Sequence, residues 1–423
     1  MRVAFALPFV LIGAAAVAEN RIDLIRPDAP ELAAFGSLPV GVTTLWLVNA
    51  GQIDIVNATE TEAPLYDRPL TVEVWYPAAP GTPPGGTYSA LLRDGLTEVT
   101  LTGRAARDAV PEGGPYPLVI LSHGYPGNRF LLGHLGENLA SKGYVVASID
   151  HTDSTYDNQG AFGSTLVNRP WDQQFVLEAL AGLEGDLGAI IDTDRSAVVG
   201  YSMGGYGALI FAGAGVTQAA PGFSYSAPQR LLDRNMAGTD SLATLVDPRV
   251  RAVVAFAPWG RNADFWDASG LAGIEKPLLL IAGSVDDVSG YGAIRSIFEE
   301  TTGTTRHLLT FENANHNAGA PMPPPLESWQ PVPTLDFIPF DHYADPVWDS
   351  VRMNNISAHF LTAFLDLHLR DDAPMGDYLD LIPNAIDGVV ALDDQGNPTP
   401  EHTYWPGFAP RTAVGLRFET LRP

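Results

Sequence analysis

Two hydrophobic patterns divide the chain. Near the front, Val42-Thr43-Thr44-Leu45-Trp46-Leu47-Val48 and Leu70-Thr71-Val72-Glu73-Val74-Trp75-Tyr76 are rich in β-branched and aromatic residues, and they predict two strands, the second ending at Pro77. A turn-rich stretch from Ala78 to about Gly86 joins this outer sheet to the rest. From Tyr116 onward the pattern changes. Short, continuously apolar runs at 118–122, 144–149, 197–199, 252–256, 278–281 and 307–311 alternate with helical stretches around 130–141 and 171–182. Strands this apolar must be covered on both faces. They therefore predict a mostly parallel sheet between helix layers, an α/β fold with functional loops at the carboxyl ends of its strands. The last strong helix, about 350–370, places Ile356, Phe360, Phe364 and Leu367 on one stripe facing the sheet.

The ends and interruptions of this pattern set the domain plan. Residues 1–18 carry Arg2, an apolar run to Val17 and Ala16-Val17-Ala18 before Glu19, the signature of a secretory signal peptide. A secreted or periplasmic protein starting at Glu19, with no stable membrane insertion, is expected, because this run is short for a spanning helix. Residues 19–41 are Pro- and Ala-rich and predict a draped arm. Residues 42–370 form the α/β domain, with insertions at about 213–247 and 321–348, and 371–423 is an extension packed on it. The turn at Asp393-Asp394-Gln395-Gly396-Asn397 lacks the spacing of a calcium loop and is read as a plain turn.

Composition narrows the function classes. A chain of 423 residues, 46% hydrophobic, can bury the core of one elaborated α/β domain. The absence of cysteine excludes disulfides, thiolate metal sites and a cysteine nucleophile. A formal net charge of −25 argues against a nucleic-acid partner. It also disfavours strongly anionic substrates, unless the cleft differs from the average surface.

The chemistry centres on Gly200-Tyr201-Ser202-Met203-Gly204, where an apolar strand enters a glycine-flanked serine and a small-residue helix follows. This is the strand, sharp turn and helix of a nucleophile elbow, with Ser202 the candidate nucleophile. A serine hydroxyl needs a base, and the base needs an acid to orient it. Asp286 and Asp287 follow one buried strand, and His316 follows the next, so the order Ser202, Asp286, His316 is that of an α/β-hydrolase triad. Asp286 fits the acid loop, with Asp287 the alternative; His151 and His342 are the alternative bases. The oxyanion formed on attack would be held by the backbone N–H groups of Met203 and of Tyr125, in the loop Ser122-His123-Gly124-Tyr125-Pro126-Gly127. No metal or organic cofactor is called for, and the oligomeric state is left open.

These motifs, with the strand Arg68-Pro69-Leu70 to Trp75-Tyr76-Pro77, resemble the α/β-hydrolase superfamily over about 42–370, nearest its dienelactone-hydrolase-like, platelet-activating-factor-acetylhydrolase-like and cutinase-like polyester-hydrolase esterases. The resemblance implies an α/β-hydrolase fold and a serine esterase acting through an acyl-enzyme on small or polymeric esters. By the polyester-hydrolase pattern, Tyr125 and Trp259, in Ala257-Pro258-Trp259, would bind substrate by flanking an aryl acyl group. The chain is longer than that group, lacks its disulfide cysteines and carries two insertions. An amidase or lactone hydrolase would share the first chemical steps, and a non-catalytic binding protein is the alternative from a different class. The aromatic-rich insertion after His316 is expected either to flap over the cleft or to cover the sheet.

Overall fold

The computed structural model describes residues 19–423, so the proposed signal peptide, 1–18, lies outside the described residues. Thirteen strands, numbered in chain order, form two sheets: β1 (Asn20–Arg21), β2 (Val40–Ile53), β3 (Leu65–Pro77), β4 (Gly86–Leu91), β5 (Glu98–Gly103), β6 (Ala106–Arg107), β7 (Tyr116–Ser122), β8 (Val145–Asp150), β9 (Ile191–Tyr201), β10 (Val250–Phe256), β11 (Leu278–Gly283), β12 (Arg306–Phe311) and β13 (Leu416–Leu421). Ten of them make the main sheet, in the order β13-β12-β11-β10-β9-β7-β8-β3-β2-β6. From β12 to β8 neighbours run parallel, whereas β8–β3, β3–β2 and β12–β13 pair antiparallel. The central strands are buried along their apolar runs, as their composition demands.

Between the turn-rich stretch at 78–86 and Tyr116, where no element is assigned from the sequence, lies a second sheet. β4 and β5 form a hairpin, and β1 from the arm adds to β5. Alternation produces it: Tyr88, Ala90 and Leu92 on one side and Val99 and Leu101 on the other all point inward and are buried. Tyr88 donates to Glu137 at 2.5 Å and accepts from the Trp75 indole at 2.9 Å, while the Arg104 and Ala105 amides donate to the same Glu137 carboxylate at 2.8–3.0 Å. This network ties the hairpin to β3 and to the helix Gly133–Ser141.

A helix is expected from about Trp171, yet it runs from Phe162 to Ala181 with Pro170 in its interior. Proline cannot donate to the carbonyl four residues back. That carbonyl, on Leu166, instead accepts from the Tyr206 hydroxyl at 3.1 Å and the Asn235 amide at 3.2 Å. Asn235, from the 213–247 insertion, also bonds the Val167 carbonyl and the Trp171 indole.

The final helix, Ser350–Leu369, buries Ile356, Phe360 and Phe364 and half-buries Leu367. It also holds the arm at Arg26 and the last strand, β13. The Asn355 side chain bonds the Arg26 amide at 2.9 Å, and Phe418 of β13 stacks on Phe360 with ring centroids 5.0 Å apart. The Asp393 carboxylate accepts from Gln395 and Asn397 within its own turn. Among the described residues, no helix is long and apolar enough to cross a bilayer, and no cluster of three or more His, Asp or Glu side chains is placed to hold a metal ion.

Candidate active site

At the carboxyl end of β9, Ser202 adopts φ 54°, ψ −112°, a conformation that costs a non-glycine residue of order 1–3 kcal/mol, and the helix Met203–Phe211 starts immediately after it. The flanking glycines are required by contact. A Cβ on Gly200 would lie 2.2 Å from the Gly204 backbone, and one on Gly204 would lie 1.9 Å from the Ser122 carbonyl oxygen. The turn thus presents the Ser202 hydroxyl at the sheet rim, and Met203 lies at the first helical position, where helix geometry leaves its N–H unused.

The loops after β11 and β12 bring the other two predicted residues to it. His316 Nε2 lies 3.0 Å from Ser202 Oγ, and His316 Nδ1 lies 2.9 Å from Asp286 Oδ2. The second carboxylate oxygen of Asp286 accepts from the Val288 and Ser289 amides at 2.9 and 2.8 Å. Burial pushes the Asp286 carboxyl up, but the hydrogen bond and charge of His316 and these two amides outweigh it, holding the group below the usual carboxylate range. Asp287 is exposed and points to the cleft rim instead. The Tyr201 ring packs against the imidazole at 5.2 Å, and its hydroxyl donates to Asn317, which anchors the insertion by donating to the Asp341 and Ala344 carbonyls.

Neither alternative base is joined to Ser202. His151 Nε2 lies 2.8 Å from Ser122 Oγ and its Nδ1 3.0 Å from Asp172, a second Ser–His–Asp chain that is fully buried. Burial and the Arg169 charge push its imidazole down to about 3, while the Arg68 ion pair holds Asp172 at about 2 despite its own burial. This network is bonded to the loop 122–127: His123 Nε2 accepts from the His151 amide at 3.2 Å, and the Arg169 guanidinium donates to the His123 carbonyl at 2.5 Å. His342 faces the cleft, pairs with the Tyr156 hydroxyl at 2.9 Å, and is pushed down to about 3 by burial and by the Arg93 and His316 charges.

Ser202, His316 and Tyr125 line one open cleft of about 530 Å³, closed on its far side by Phe337, Asp341 and His342 of the 321–348 insertion. Phe162 packs against both aromatics of the expected clamp, 5.1 Å from Tyr125 and 5.5 Å from Trp259, and the half-buried Trp259 also packs against Phe223 and Phe265. Phe162 is brought there as the first residue of the helix Phe162–Ala181. Arg93, which the sequence reading passed over, also lines the cleft, from the turn between β4 and β5. The Asp94-Gly95 pair between two alternating runs was the signal for that hairpin.

Comparison with known proteins finds likenesses to ester hydrolases. The PETase family model, described as PET hydrolase-like, matches residues 111–229. Cutinase est1 of Thermobifida alba is 27% identical over 209 residues, 49% of this chain and 55% of the cutinase. Dipeptidyl aminopeptidase BIII of Pseudoxanthomonas mexicana is 33% identical over 205 residues, 44% of this chain and 29% of the peptidase. The chain thus spans about half of the first relative's length and less of the second. A ferulic acid esterase from Streptomyces cinnamoneus superposes with a TM-score of 0.59 at 24% identity, covering 81% of this chain and 94% of that one, a likeness of fold. The protein has the α/β-hydrolase fold, and in its sequence it resembles the cutinase-like polyester hydrolases.

Proposed function

We propose that the protein is a serine hydrolase that cleaves carboxylic esters through an acyl-enzyme. The observation that carries this reading is the connected set Ser202–His316–Asp286, at 3.0 and 2.9 Å, opening on a cleft. Ser202 Oγ attacks the ester carbonyl while His316 Nε2 takes its proton, and the buried Asp286 offsets the imidazolium that forms. The Met203 and Tyr125 N–H groups stabilise the oxyanion, and His316 returns the proton to the leaving alcohol. A water activated by the same imidazole then releases the acid. The leader-like residues 1–18 further support export, which N-terminal sequencing of the mature protein tests: a start at Glu19 is expected.

Ester hydrolysis is tested with p-nitrophenyl butyrate and a fluorophosphonate label. Wild type is expected to hydrolyse the ester and to carry one label, on Ser202, and Ser202→Ala to lose both. Labelling of Ser202→Ala at Ser122, or an unchanged rate, would overturn the assignment. The resemblance to a dipeptidyl aminopeptidase favours including an aminoacyl anilide in the panel. A rate on the anilide that exceeds the ester rate would make the enzyme an amidase with the same residues.

A further inference from the structure

The cleft does not share the acidity of the whole chain in one respect. Among its lining residues is a cation, Arg93, facing two aspartates, Asp287 and Asp341, which are both exposed at the rim and so screened by water. Among the described residues, neither a carboxylate nor a hydrogen-bond acceptor pairs with the Arg93 guanidinium. Its guanidinium lies 5.6 Å from the Phe337 ring centroid, and the ionisable groups around it are Tyr125, Tyr156, Tyr343 and the neutral His342. Burial among these rings pushes the Arg93 guanidinium down from its ordinary value, so the charge is held where water solvates it incompletely. A half-dehydrated guanidinium with free donors favours a planar oxyanion, which it can bind through two parallel N–H···O bonds. The hairpin that carries Arg93 is itself fixed by the buried Tyr88–Glu137 bond, so the cation is presented by an ordered element.

Building on the esterase reading, we propose that Arg93 is a specificity residue that binds a carboxylate on the substrate, so that the preferred esters are monoesters of dicarboxylic acids. The scissile carbonyl sits at Ser202, the free carboxylate at Arg93, and the body of the acid lies along Tyr125 and Phe337 between them. The chemistry is unchanged ester hydrolysis. Water supplies the oxygen that ends on the acyl carbon, the alcohol leaves with a proton, and the product is a dicarboxylate still held at one end by Arg93. The cleft, at about 530 Å³, has room for such an acid beyond the ester group.

The test measures kcat/KM for the monomethyl and dimethyl esters of terephthalic acid and of a series of straight-chain diacids, with p-nitrophenyl butyrate as the neutral reference. The monoester-to-diester ratio is expected to exceed one in wild type and to fall as salt is added. Arg93→Gln is expected to lower that ratio at least tenfold, with Arg93→Lys retaining part of it. Free terephthalate should also inhibit wild type more strongly than its neutral diamide, a comparison that needs no variant. A ratio unchanged in Arg93→Gln, or equal inhibition by diacid and diamide, would overturn the proposal while hydrolysis of p-nitrophenyl butyrate kept the esterase reading intact. If p-nitrophenyl butyrate is not cleaved, both readings fall.

Discussion

At the scale of single residues, surroundings and not residue type or bonding order separate the candidate triad from its buried double. Ser122, His151 and Asp172 are bonded in the same order as Ser202, His316 and Asp286, at 2.8 and 3.0 Å. What differs is surroundings. Asp172 spends its carboxylate on a bidentate pair with Arg68, and Ser122 has no exposure, whereas Ser202 opens on the cleft. The two neighbouring acids are separated in the same way. Asp286→Asn leaves His316 Nδ1 facing an amide of the wrong polarity and is expected to lower kcat by about 10³–10⁴-fold, as loss of a triad acid does. Asp287→Asn, changing an exposed rim charge, should change kcat far less; steady-state kinetics on a neutral ester decide between them, and a larger loss at Asp287 would move the acid role there. The triad was legible because each member follows a buried strand in the order that an elbow fold requires. Less legible was Phe162, which packs against both Tyr125 and Trp259 and which no motif marks.

At the scale of elements, the sequence reading succeeded where burial is continuous and failed where a local rule was overridden. The parallel strands β7 to β12 announce themselves by unbroken apolar runs, since both of their faces are covered. The β4–β5 hairpin alternates instead, and its Tyr88 and the Glu137 it bonds on the helix Gly133–Ser141 are polar residues whose burial shows only once they are paired. Pro170 is the sharper case, because the propensity against it is about 3 kcal/mol in a helix interior. The residues that accommodate it, Tyr206 and Asn235, come from other parts of the chain. Asn235→Ala removes one of two side-chain donors to the Leu166 carbonyl, a donor to the Val167 carbonyl and the acceptor of the Trp171 indole, and a buried group left unpaired costs about 1–3 kcal/mol. Urea denaturation should show that loss. The cost should shrink by about 1 kcal/mol in a Pro170→Ala background, where a restored N–H reaches the Leu166 carbonyl. Strict additivity of the two substitutions would show that the asparagine does not serve the proline.

At the scale of the whole molecule, the histidines make the fold sensitive to acid well above the carboxylate range. Burial pushes His134, His151, His307, His342 and His359 down to about 3 and His368 to about 4, from an ordinary value of 6.5, and holds His123 well below it. In the unfolded chain these groups take up protons as pH falls through 6.5, while in the folded chain they stay neutral. The unfolded state therefore binds more protons between about 6.5 and 3, and stability falls with pH across that window by about 1.4 kcal/mol per pH unit for each group. Asp286 and Asp172, whose carboxyls are held low, add to the loss only below their unfolded value of 3.8. Glu137 and Asp150, pushed up mainly by burial, work in the opposite direction. The upper part of the window thus belongs to the histidines, and urea midpoints at pH 7.5, 6.5 and 5.5 should fall steadily. His134 isolates one share, because neither of its ring nitrogens has a partner among the described residues and it is remote from the triad contacts. His134→Leu should reduce the slope below pH 6.5 by about one proton, and a midpoint that stays level from pH 7.5 to 5.5 would mean that these imidazoles are protonated in the folded protein.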